Sequence, residues 1–210
     1  MYTPDAMKLS DKKHIFDFIE AYSFGLVVSP SLNASHLPFI LDRSSSSRGI
    51  LLSHMTRANP LWKEFEGKRV LAIFQGPHSY DSPTWYQTAP AVPTWNYTSV
   101  HCYGTVSLLS VDELRIVMDA LVHKFEPTLQ AQKEIMPETF IEGKLKGIIG
   151  FKIEIEEFQA KEKLGQHRSQ AAQRGPVGGW VARARCPGVG RGTGGAQRVG
   201  GRERGRLNFG

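Results

Sequence analysis

The sequence predicts a mainly β fold: a small β-barrel with peripheral helices, with an α+β sandwich as the alternative. Three observations point there. Six or so short β-branched or apolar runs are separated by polar turns, no βαβ unit repeats, and helical periodicity is confined to a few segments.

The elements follow in chain order. Ser10 is placed to cap a first helix carrying Ile15, Phe18, Ile19 and Tyr22 at 3.6-residue spacing. "FGLVVSP" (24–30), "SHLPFILD" (35–42), "GILLSHM" (49–55) and "RVLAIFQG" (69–76) read as four strands of an antiparallel meander, with the serine-rich stretch 43–48 as a turn. A short helix over 60–66 interrupts them, Asn59 being a good N-cap and Pro60 a good first helical residue. Residues 77–93, rich in Pro, Ser and Tyr, read as a long loop. "TWNYTSVHCYGTVSLL" (94–109) is a long strand with a bend at Gly104. Ser110 and Glu113 form a capping box before the clearest helix, whose stripe is Leu114, Val117, Met118, Leu121, Val122 and Phe125, and which stops before Pro127. A weaker helix follows near 137–145. In "GIIGFKIEIEEF", Ile149, Phe151, Ile153 and Ile155 alternate with Lys152, Glu154 and Glu156, as in a half-buried strand.

The length of 210 residues fits one domain, or one domain plus an extension. The net charge is +6, but residues 166–210 carry nine arginines and one acid, a charge of +8, which leaves −2 for residues 1–165. The body therefore makes a weak electrostatic case for binding nucleic acid. That last stretch also holds 12 of the 21 glycines and loses hydrophobic periodicity after Gly175. It reads as a disordered Gly/Arg tail, either an RNA-binding segment or the product of a shifted reading frame. Cys102 and Cys186 form no CxxC motif, which argues against a disulfide framework and a cysteine zinc site. No signal pattern or long apolar run is present, so a cytoplasmic protein away from membranes is expected.

The chemistry concentrates in "HMTRANPLWKEF" (54–65). A helix start leaves amides unpaired and suits an anion, above all a phosphate. Arg57 adds a guanidinium, and Ser53, His54 and Thr56 add hydrogen-bonding groups. The plainer alternative is that Asn59 only caps and Arg57 is solvated. His36, His54, His78 and His101 lie on separate strands or loops without a metal-binding spacing. No GxSxG elbow or paired carboxylate stands out, so any reactivity points to a cofactor. Aromatics crowd 74–103, either walling a flat heterocycle or packing a core.

"MYTP", "SHLPFILD", "HMTRANPLWKEF", "FQGPHSYDSPTWY", "VPTWNYTSVHCYG" and "LKGIIGFKIEIEEFQAKEKL" occur in this order over residues 1 to about 170. This series resembles the PaiB family, FMN-binding proteins described as negative transcriptional regulators. The resemblance implies an FMN-binding split β-barrel like that of pyridoxamine phosphate oxidases, spanning 1–170, with 171–210 as the tail. It implies a homodimer with FMN at the interface, the phosphate held by Ser53, His54, Thr56, Arg57 and Asn59. His36 would face the cofactor, and Trp95 and Asn96 would reach the partner's flavin. Gln166 and Arg168 would be further contacts, although Gly165-Gln166-His167-Arg168 departs from the family's Ser-Gln-Asn-Arg. Two functions are compatible with it: a transcriptional regulator with DNA or a regulatory protein as partner, or an NAD(P)H-linked flavin oxidoreductase.

Overall fold

The computed structural model describes residues 1–85 and 90–166. The tail 171–210 lies outside the described residues. Helix α1 (Lys12–Ala21) precedes strands β1 (Phe24–Val28), β2 (Ala34–Pro38), β3 (Ile40–Asp42) and β4 (Ile50–Thr56). A single turn of helix, α2 (Trp62–Phe65), leads to β5 (Arg69–Asp81) and β6 (Thr94–Leu108). Helices α3 (Val111–Phe125) and α4 (Glu138–Leu145) then precede β7 (Ile148–Lys163).

All strands belong to one antiparallel sheet in the order β2-β1-β5-β6-β7-β4-β3. This corrects the meander. Neighbours in sequence do pair at β1–β2, β3–β4, β5–β6 and β6–β7, but β1 also pairs with β5, and β4 with β7. The run 35–42 is two strands rather than one. β2 and β3 occupy opposite edges of the sheet, yet only Phe39 separates them. One residue cannot span an open seven-stranded sheet whose strands lie roughly 4.8 Å apart. The sheet must therefore roll until its edges meet, and this makes the barrel.

Phe39 is fully buried, and its amide donates to the Ser23 carbonyl at 2.8 Å. Its ring meets Phe74 at 5.4 Å and Phe151 at 6.3 Å, both edge-on, and Phe151 meets Phe65 at 5.5 Å. Val27, Leu51, Ala72, Val100 and Ile153 fill the remaining interior. Phe39→Ala should cost about 3–5 kcal/mol, because it empties the point where the barrel closes. Urea denaturation measures this, and a loss below about 1 kcal/mol would contradict a core role for the hinge.

The helices differ in detail from expectation. Asp11, not Ser10, caps α1, accepting from the Lys13 amide at 3.1 Å. Ile15, Phe16, Phe18 and Ile19 are buried, whereas Tyr22 is exposed. The capping box of Ser110 and Glu113 is present in α3, and Leu114, Val117 and Leu121 are buried, but Phe125 projects outward. β5 continues to Asp81, through part of the stretch read as loop.

Candidate functional site

Strand β4 brings the predicted phosphate cluster to the corner before α2, and its alternation divides that cluster. Successive strand residues face opposite sides. Leu51, Ser53 and Met55 are buried, and Leu52 and His54 point the other way. The Ser53 hydroxyl donates to the Pro38 carbonyl at 2.7 Å and ties β4 to the β2–β3 hinge. His54 is paired with Gly150 of β7, so both face the same side. A Cβ at Gly150 would lie 2.8 Å from Leu114 Cδ1, which places that side beneath α3. Ser53 and His54, grouped together in the sequence reading, thus face opposite sides of the sheet.

His54 Nδ1 is buried and meets no hydrogen-bond partner. Burial lowers the His54 pKa below its ordinary value of 6.5. A histidine held neutral in the folded state stabilises fully above that value and loses this contribution as pH falls below it. Stability should therefore decline as pH falls below about 6.5, and His54→Gln should flatten that slope in thermal melts. An unchanged slope in the variant would mean that another group governs it.

At the end of β4 the backbone turns into α2. Asn59 does not cap α2, whose N-cap is Leu61, but shapes the turn before it: its side-chain oxygen accepts from the Leu61 amide at 3.0 Å, and its amide group donates to the Ser35 hydroxyl at 2.9 Å. Pro60 has no N–H. The Leu61 amide is thus spent and Pro60 offers none, which leaves fewer amides at this corner for a phosphate than the sequence suggests. Arg57 stays available. Its Nε donates to the Lys146 carbonyl at 3.2 Å and its Nη2 to the Ile148 carbonyl at 3.3 Å. Among the described residues no carboxylate lies within 4 Å of it. A guanidinium has five N–H groups, so three remain for an anion. Thr56 is exposed, and its hydroxyl accepts from the Ala58 amide at 3.4 Å, which leaves its own proton free to donate. Arg57 also lines a cleft of about 490 Å³ between α3, α4 and the start of β7, walled by Leu109, Leu114 and Ile149.

The Asn59–Ser35 bond holds this corner against β2, one residue from His36. His36 is exposed, and its ring stacks on Phe24 at 6.0 Å with an interplanar angle of 20°. Beside them Leu26, Val28, Leu71 and Ile73 are half-buried on the outer face of the sheet.

Trp95 and Asn96 part company for the reason that separates Ser53 from His54. Trp95 is exposed outside, 5.9 Å from the His78 ring and 5.8 Å from Tyr80. Asn96 is buried, donating to Asp81 Oδ2 at 2.7 Å, with its Oδ1 unmatched. Gln166 is exposed and bonded locally, accepting from the Leu164 amide at 2.8 Å and donating to the Glu162 carbonyl. Arg168 lies outside the described residues. Sequence reasoning missed Lys161, a buried lysine at the end of β7. No local pattern marks it, because the alternation that holds to Glu156 is broken at Glu157.

The comparisons with known proteins agree with this architecture. Residues 1–157 match the family described as "Putative FMN-binding domain". The chain is 38% identical over 179 residues to "Protease synthase and sporulation protein PAI 2" of Bacillus subtilis (strain 168), covering 81% of this chain and 84% of that protein. Among solved structures it is similar to the flavocytochrome Anf3 from Azotobacter vinelandii, with a TM-score of 0.60 and 13% identity over 75% of this chain and 69% of that one. It is also similar to the FAD and heme binding protein from Mycobacterium smegmatis, with a TM-score of 0.56 and 15% identity over 75% of this chain and 73% of that one. At such identities these structures speak to the fold, a split β-barrel. Among the described residues no helix is long and apolar enough to cross a membrane. The chain belongs to the FMN-binding PaiB family, and its cofactor is FMN.

Proposed function

We propose that this chain acts as a homodimeric, FMN-dependent negative regulator, with the flavin phosphate held by Arg57 and Thr56 and the ring beside His36. One observation carries the site: the Arg57 guanidinium is fixed by two backbone carbonyls, meets no carboxylate, and keeps donors to spare. A phosphate fits there because two guanidinium N–H groups match two of its oxygens. The exposed stacked pair Phe24–His36 offers a flat face next to the same corner. Ser53, His54 and Asn96 point into packed protein and take no part in this reading. When bound, the isoalloxazine supplies redox chemistry, while the chain's own residues bind and orient it.

The half-buried apolar face around Leu26, Val28, Leu71 and Ile73 supports a dimer, since burying it removes apolar surface from water. The regulatory part rests on the resemblance to the PaiB family, whose members are described as negative transcriptional regulators. Titrating FMN against purified protein and following flavin fluorescence tests the site, with saturable quenching at micromolar cofactor expected. Sedimentation of the loaded protein tests the dimer, and a monomer would remove that part. In a host lacking the gene, transcripts that rise should be repressed again by the wild-type gene and not by Arg57→Ala.

A further inference from the structure

A cleft opens on the outer face of the barrel, between α3, α4 and the first residues of β7, and encloses about 490 Å³. Its apolar wall is formed by Leu109, Leu114, Leu145, Ile148 and Ile149. Gly150 lets α3 come this close to the strand, because a Cβ there would lie 2.8 Å from Leu114 Cδ1 and 3.1 Å from Leu109 Cδ1. The two helices are held differently. α3 buries Leu114, Val117 and Leu121, whereas α4 buries none of its residues. α4 is fastened at its first residue, where both Glu138 oxygens accept from the Arg115 guanidinium, at 2.6 and 2.9 Å. The cleft therefore has one fixed wall and one that can adjust.

Leu109, Leu145, Ile148 and Ile149 are left half-buried. The chain's own packing does not take them out of water, and an apolar guest would. Clefts of about 300–1,000 Å³ suit small ligands. The charges on the rim are balanced, Arg57 and Lys146 against Asp112 and Glu142. Among the described residues none of these four forms an ion pair within 4 Å. Arg115, also on the rim, is neutralised by Glu138. Such a mouth selects no ion of either sign.

We propose that this cleft binds an uncharged, largely apolar small molecule, the size of a few rings and distinct from the flavin. The site goes beyond the FMN reading and meets it only at Arg57. β7 and β3 flank β4 on opposite sides, and β3 leads back through Phe39 to β2. The flavin ring proposed beside His36 on β2 lies on the β3 side of Arg57, and the cleft lies on the β7 side.

The test uses full-length, FMN-loaded protein titrated with N-phenylnaphthylamine, an uncharged dye that brightens in apolar surroundings, with equilibrium dialysis as the second readout. Saturable binding of one dye per chain is expected. Val111 stands on the rim, 71% exposed at the start of α3, so Val111→Trp blocks the mouth without disturbing the core. This variant should weaken the dye about tenfold or more, while FMN occupancy and the melting temperature stay unchanged. Anilinonaphthalene sulfonate, the same frame with a negative charge, should bind no more tightly than the neutral dye. Absence of dye binding overturns the proposal, as does full binding by Val111→Trp, which would move the dye elsewhere on the protein. Tighter binding of the sulfonate overturns the uncharged class. Competitive displacement by free FMN also overturns the proposal, since the cleft would then be part of a flavin site. So does release of the dye as protein concentration rises, which would make the cleft an interface between two copies. Flavin occupancy is measured separately, so failure of the FMN reading is distinguishable: the dye would still bind protein that takes up no flavin.

Discussion

Gly104→Val is expected to abolish the folded state. At Gly104, β6 crosses β7 where their register shifts, between Tyr103 and Gly104. A Cβ there would lie 2.2 Å from the Glu154 carbonyl oxygen and 2.9 Å from both the Glu154 carbonyl carbon and Ile153 Cγ2. Two of these contacts are backbone atoms of the partner strand, so no rotamer change relieves them. Separating the strands would break the longest ladder in the barrel. The cost should exceed the roughly 1–3 kcal/mol typical of overpacking, and the protein should be insoluble or molten by circular dichroism. Gly67→Ala is the comparison. Its φ is +68°, and a Cβ there meets nothing within 4 Å, so only backbone strain of about 1–2 kcal/mol applies. A Gly104→Val protein melting within about 3 °C of wild type would disprove the crossing.

Arg57→Ala should weaken FMN binding by about 1.5–3 kcal/mol, the range for a hydrogen bond to a charged group, or roughly tenfold to a hundredfold in Kd. The fold should suffer little, because the side chain is exposed and gives up only two bonds to carbonyls. Arg57→Lys should recover only part of the affinity: an ammonium keeps the charge but cannot brace itself on both carbonyls and present a fork to the phosphate. Fluorescence titration of the three proteins decides the matter. Equal affinities would move the phosphate to another part of the chain.

The amphipathic helices α1 and α3, the Ser110–Glu113 box and the alternation of β7 were legible because each depends on residues a few positions apart. The separation of Ser53 from His54, and of Trp95 from Asn96, was legible as well, since a period of two divides adjacent strand residues. The prominence of the motif hid it. Asn59 shows the opposite case: its bond to the Leu61 amide is local, but its bond to Ser35, 24 residues away, is not visible in the sequence. Lys161 gave no signal, because its burial depends on the N-terminal segment folding back over the end of β7.

By itself the sequence determined the element types, the apolar face of each and the family, since these rest on local periodicity and on contiguous motifs. Tertiary structure alone decided which strands pair, that Phe39 closes the barrel, and which polar groups remain free for a ligand. The reason is that strand pairing and hydrogen-bond satisfaction are set between residues distant in the chain, and a donor is available only where no remote acceptor has already taken it.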